Sequence, residues 1–129
     1  MPFRRHRTGN ERIETMNTKT ITDFIEFDEK SLTKRIIHSD ANILTFVLNF
    51  QPGHQLPVHK HETSTLIALV LDGSCDIQIN DEVKTIRKGD VVQADGPDDF
   101  SIPVVHEPLS LFVNIGPNPT DEIYSKNFG

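Results

Sequence analysis

The sequence predicts an all-β domain, a sandwich or barrel, and three observations carry that expectation. Short segments rich in β-branched and aromatic residues recur along the chain from residue 21 onward. Turn chemistry punctuates them at close spacing: Pro52-Gly53, Asp72-Gly73, Asn80-Asp81, Lys88-Gly89-Asp90, Gly96-Pro97 and Gly116-Pro117. No stretch carries the 3.6-residue apolar period of a long helix. A chain of 129 residues with 36% hydrophobic and 25% charged residues fits one globular domain with an ordinary core.

Taken in order, the expected strands cover residues 21–27, 33–38, 42–50, 66–71, 74–79, 83–87, 91–94, 100–105 and 109–115, with a further extended stretch at 53–61. A single helical turn is the most that 119–126 offers. In 42–50 the set Leu44, Phe46, Leu48 and Phe50 is apolar throughout, and Ile43 and Val47 add apolar groups to the other side, so both faces are expected to be covered. The same holds for 66–71. A second copy of the chain is the expected cover, hence a homodimer, and an N-terminal strand folded over the outer face is the alternative. In 74–79, Cys75, Ile77 and Ile79 alternate with Ser74, Asp76 and Gln78, which reads the lone cysteine as a small buried residue.

Charge divides the chain. Residues 1–15 hold Arg4, Arg5, Arg7 and Arg12 against Glu11 and Glu14, whereas 16–129 hold nine Lys and Arg against seventeen Asp and Glu. The first stretch lacks apolar periodicity and is expected to be a disordered basic extension, either an inert tail or sequence upstream of a true start at Met16. Residues 16–129 form the single barrel domain. Its acidic balance argues against nucleic acid as a partner. No apolar run has the length of a membrane span and no secretory leader is visible, and one cysteine cannot make an internal disulfide, so the expected compartment is the cytoplasm.

The chemistry concentrates in Gly53-His54-Gln55-Leu56-Pro57-Val58-His59-Lys60-His61. Alternate residues of a strand share a face, so His59 and His61 are expected to aim both imidazoles into one cavity. Two imidazoles are half a metal site, because catalytic centres usually take three or more protein donors.

The pattern Gly53-x5-His59-x-His61, with Gly73 beyond it and Lys88-Gly89-Asp90-Val91-Val92 further on, resembles the two motifs of the cupin family over about residues 41–116. The resemblance implies a cupin-type jelly-roll barrel, often dimeric, whose histidines and glutamate hold a divalent metal such as iron, manganese, nickel or zinc. The sequence departs from that ligand set. The family's glutamate falls at Thr65 or Leu66, and in the second motif only Gly89 is kept: the proline, glycine, histidine and asparagine positions carry Asp95, Pro97, Phe100 and Val104.

Phe100, Ile102 and Val104 alternate as one apolar set, so an inward Phe100 is expected where an imidazole would stand. A register slip of one residue would bring Asp99 in as a third ligand and make a two-His, one-carboxylate set, and His54 is the other candidate. The slip would also turn that apolar set outward, at about 1.5–3 kcal/mol per side chain. A bound metal is therefore disfavoured. His38 and His106 read as surface turn residues, the latter in a hairpin at 105–108, and Glu62 is expected to face away from the cavity.

Three functions follow from these residues. The favoured one is a small-molecule-binding barrel in which His59 and His61 orient a ligand against Leu66, Phe100, Ile102 and Val104. The second is a metal-dependent dioxygenase, isomerase or lyase built on His59, His61 and a rescuing carboxylate. The third is a regulatory or interaction module. Neither a nucleophile elbow nor a phosphate-cradling glycine loop is present.

Overall fold

The computed structural model describes residues 16–119. A 3-10 turn at Ile21–Phe24 precedes seven strands: β1 (Thr33–Ser39), β2 (Leu44–Phe50), β3 (Leu56–His59), β4 (Thr65–Ile79), β5 (Glu82–Arg87), β6 (Val91–Ala94) and β7 (Phe100–Gly116). Every ladder is antiparallel, and the strand order is β1-β2-β7-β4-β5, with β3 on β7 and β6 on β4. The all-β expectation holds. Among the described residues no helix is long and apolar enough to cross a membrane. The basic extension at 1–15 lies outside the described residues, as does most of 119–126.

Two expected breaks are bends inside long strands. Residues 66–71 and 74–79 form one strand, β4, and 100–105 and 109–115 form one strand, β7. The β4–β7 register shifts repeatedly between Val70 and Gln78, so the pair bends without parting. Gly73 sits at the bend with φ of +86°, and a Cβ there would collide with the Pro108 carbonyl oxygen. His106 consequently lies in the middle of β7, where its Nε2 meets Asp76 Oδ1 at 2.9 Å. The Asn80-Asp81 break is a true two-residue hairpin between Ile79 and Glu82, with Asn80 at φ 55°.

Residues 21–27 do not form a strand. The turn at Ile21–Phe24 and the segment after it lie against the outer side of β1 and β2, fixed by a buried polar network. Asn49 Nδ2 donates to the Phe24 carbonyl at 3.0 Å and to Thr33 Oγ1 at 3.1 Å. Thr33 Oγ1 donates to the Glu26 carbonyl at 2.6 Å, and Ser110 Oγ donates to Asn49 Oδ1 at 2.8 Å. Outside it, Arg35 makes a two-point contact with Glu26 Oε1. The N-terminal segment is therefore an outer cover, as a turn and extended chain. All of β2 is buried within one chain, so its two-sided burial makes no demand for a second copy. Two-sided burial fails elsewhere, since Ile43 and Ile67 are exposed.

The inner side is apolar. Leu44, Phe46, Leu48 and Phe50 of β2 meet Leu66, Ala68 and Val70 of β4 and Leu109, Leu111, Val113 and Ile115 of β7 in one core cluster that includes Cys75. Asn49→Ala is expected to cost about 2–4 kcal/mol, because it strands the Ser110 hydroxyl and the Phe24 carbonyl together. Urea unfolding at unchanged m-value measures it, and a loss below about 0.5 kcal/mol would count against the network as the clasp of the outer segment.

Candidate functional site

One end of the core is hollow. A cavity of about 310 Å³ is walled by Leu32 and Lys34 from the β1 side, Phe46 and Leu48 from β2, Leu56 to His59 from β3, Leu66 from β4, and Phe100, Leu111, Val113 and Ile115 from β7, with His61 beside them. Alternation explains the lining: on β2, β4 and β7 it is the inward set that reaches the space. Lys34 lies on the inward side of β1 with Leu32 and Ile36, and is 3% exposed.

His59 ends β3 and pairs with Phe100 of β7, so the two side chains stand side by side. His61 lies past the strand end, in the turn before β4, and is buried. Its amide donates to the Gly96 carbonyl at 3.0 Å, and its own carbonyl accepts from Ser64 N at 2.9 Å. A Cβ on Gly96 would collide with the Glu62 carbonyl, so this turn closes against the loop before β7 only because residue 96 is glycine. Glu62 itself is exposed, with φ of 50°.

The expected meeting of His59 and His61 is observed. Their ring centroids are 4.8 Å apart at 78°, and the Phe100 ring packs edgewise at 5.8 Å from His59 and 6.0 Å from His61. His59 Nδ1 lies 2.8 Å from the Pro57 carbonyl, which can only accept, so Nδ1 carries the hydrogen and Nε2 is the acceptor. Burial holds His59 below the usual imidazole value, with the Lys34 charge adding to the effect against the Pro57 bond. Burial, then the neighbouring His59, lowers His61 to about 4. Both rings are neutral at pH 7. Lys34 Nζ sits 4.7 Å over the Phe46 ring centroid, and burial brings its ammonium down to about 8.

Several expected site residues fall elsewhere. Leu66 and Phe100 line the cavity, but Ile102 is packed in the core without reaching it, and Val104 is 43% exposed. The cause is a bulge in β7: Asp76 pairs with Val104 and Gln78 with Ser101, so three steps on β7 answer two on β4. Pro103 sits in that bulge, Val104 turns outward and Val105 takes the inward place. Asp99 ion-pairs with Lys60 outside the cavity, and its amide donates to Asn80 Oδ1. His54 spends both ring nitrogens on backbone, Nδ1 accepting from Gln51 N at 2.9 Å and Nε2 donating to the Glu29 carbonyl at 3.0 Å. Lys34, Phe46 and Leu48 are lining residues the sequence reading did not assign to the pocket. The alternation Leu32, Lys34, Ile36 carried the signal for Lys34: a charge inside an apolar set.

These residues do not fit the metal that the motif resemblance implies. Among the described residues no group of three His, Cys, Asp or Glu side chains is placed to hold an ion. The third side chain beside the two imidazoles is a phenyl ring, and a lysine charge shares the chamber. Cys75 is buried, its thiol pushed up to about 12, and takes no part.

Comparison with known proteins places this geometry. Residues 46–99 match the cupin domain family. The TT1209 protein of Thermus thermophilus superimposes with a TM-score of 0.75 at 20% identity, over 81% of this chain and 100% of that one. An RmlC-like cupin from Desulfovibrio desulfuricans gives 0.71 at 24% identity, over 80% and 98%. A double-stranded β-helix protein from Klebsiella pneumoniae gives 0.74 at 12% identity, over 88% and 96%. At these identities the structural likeness establishes the fold. No curated protein matches the chain.

Phe100→His is expected to create zinc or nickel affinity, tightening binding by at least about tenfold, since it completes a three-imidazole set. Titration calorimetry checks this, and unchanged affinity would overturn the placement of Phe100. A second expectation concerns acid. Between about 4 and the ordinary 6.5 the unfolded chain binds more protons at residue 61 than the folded one, so stability rises with pH across that window and falls as pH drops through it. His61→Leu removes on the order of 2–3 kcal/mol of that slope, read from urea midpoints at pH 4.5, 5.5 and 7.

Proposed function

The chain carries a cupin domain folded as a double-stranded β-helix, and from the lining of its barrel we propose that it binds a small, largely apolar organic molecule, with the metal site degenerate. The observation that supports this most is the chamber of about 310 Å³ whose apolar walls are broken by two adjoining neutral imidazoles. That volume lies at the low end of small-molecule sites and suits a ligand of one or two rings. Neutral imidazole offers one donor and one acceptor, so His59 and His61 orient a polar group of the ligand while the walls take its apolar body.

The expected setting is a homodimer in the cytoplasm. Ile67 and Val91 support a partner on the outer face of the β4 and β6 pair, being 44% and 64% exposed there.

The test uses 2-naphthol and 2-methylnaphthalene, which match in size and differ by one hydroxyl. Calorimetry is expected to give one site per barrel, with the hydroxyl worth about fivefold in affinity, the value of one net hydrogen bond. His59→Ala with His61→Ala should erase that preference and leave the fold intact. Val58→Trp, at an exposed lining position, should block both compounds. Failure of the unaltered protein to bind either compound would overturn the proposal.

A further inference from the structure

The chamber opens beside β3, where Val58 is both a wall residue and 63% exposed, so its mouth is apolar. Apolar surface of this kind marks a place that something covers. The end of β7 brings the chain to it. Val113 and Ile115 line the chamber, and Ile115 pairs with Leu44, next to the β1–β2 turn. The residues that follow are fixed at that corner. Ser64 Oγ donates to the Pro117 carbonyl at 2.5 Å, Asn118 N donates to the Ala41 carbonyl at 3.3 Å, and Asn118 Nδ2 donates to the Asp40 carbonyl at 2.7 Å and to Ser39 Oγ at 3.0 Å. On the outer side of β1 and β2 the place is taken by the segment that holds Phe24 and Glu26, so the apolar surface within reach is the inner one.

We propose that residues 120–129 dock over this mouth as a tethered plug, with Tyr124 and its apolar neighbours Ile123 and Phe128 set against Leu56, Val58 and Ile115. The segment reads Thr-Asp-Glu-Ile-Tyr-Ser-Lys-Asn-Phe-Gly, and those three are its large apolar and aromatic side chains. Its length suffices: the ten residues extend to about 33 Å, against roughly 23 Å for a strand of seven such as β1. From Pro119 it therefore reaches the whole length of the β1 wall. The docking stands apart from the small-molecule reading, whereas its effect on a ligand rests on that reading. A plug on the same chain acts at an effective concentration on the order of millimolar. A ligand's apparent affinity then falls in proportion to the fraction of barrels that are open.

The sequence holds one tyrosine and no tryptophan, so intrinsic emission reports residue 124 alone. Acrylamide quenching of the folded full chain is expected to be at least about threefold weaker than in urea, as for a segment docked most of the time. Val58→Asp, at an exposed wall position, should raise the quenching toward the unfolded value, and so should Ile123→Ser with Phe128→Ser, which leaves the barrel untouched. Calorimetry adds the ligand: a chain ending at Pro119 should bind 2-methylnaphthalene at least about fivefold more tightly than the full chain. Equal quenching of folded and unfolded chain overturns the docking. Shielding that survives both sets of substitutions, or that vanishes on dilution, overturns its place at the mouth of the same barrel. Equal affinity of the two chain lengths for 2-methylnaphthalene overturns the plug. Shielding lost in both variants, with neither 2-methylnaphthalene nor 2-naphthol bound by either chain length, upholds the docking and overturns the small-molecule reading alone.

Discussion

The β4–β7 ladder is the constraint on which the rest of the molecule hangs. It runs from Thr65 opposite Gly116 to Ile79 opposite Phe100, and every other strand attaches to it directly or through β2. Two strands this long cannot stay flat, since right-handed twist accumulates along them. The bends around Gly73 and Pro103 let the pair fold over a single core. At Gly73 the backbones approach so closely that no side chain fits between them, which fixes where the bend occurs. Because β2 and β3 both hydrogen-bond to β7, the same bend sets how far Phe46 and Leu48 stand from His59. The hollow between them is thus a consequence of the ladder.

The two sides of this sheet solve opposite problems. Outside, Thr33, Asn49 and Ser110 are buried but satisfy one another and the carbonyls of Phe24 and Glu26, so polar groups leave water without losing partners. Inside, the walls hold almost no polar atoms, and the exceptions gather at one place: Lys34, His59 and His61. Buried polar groups are expensive, and those that face inward without belonging to the outer network meet at this one chamber.

Much of this was legible in the residues. Alternation located most strands, and the spacing of His59 and His61 brought their rings together as expected, although His61 does so from a turn. The failures have physical causes. Asp72-Gly73 and His106-Glu107-Pro108 read as turns because the residues that permit a turn also permit a bulge, and only long-range pairing decides which forms. The bulge at Pro103 then broke strict alternation, moving Val104 out and Val105 in, which period-two reasoning cannot register. Residues 21–27 have strand composition, yet the side chains of Asn49 and Thr33 take the Phe24 and Glu26 carbonyls, holding the segment across the outer face without a ladder. Lys34 was missed because a lysine on a strand is ordinarily a surface residue, and its burial depends on strands far away in sequence.

The chemistry of the chamber also explains why the histidine motif and the absence of its usual companions go together. A divalent ion between His59 and His61 would sit beside the Phe100 ring, which offers no lone pair, and within reach of the Lys34 charge, which repels it. Both residues push the same way: Phe100 offers no donor, and Lys34 adds a like charge. The two imidazoles are left facing a phenyl ring and aliphatic walls in place of a ligand set.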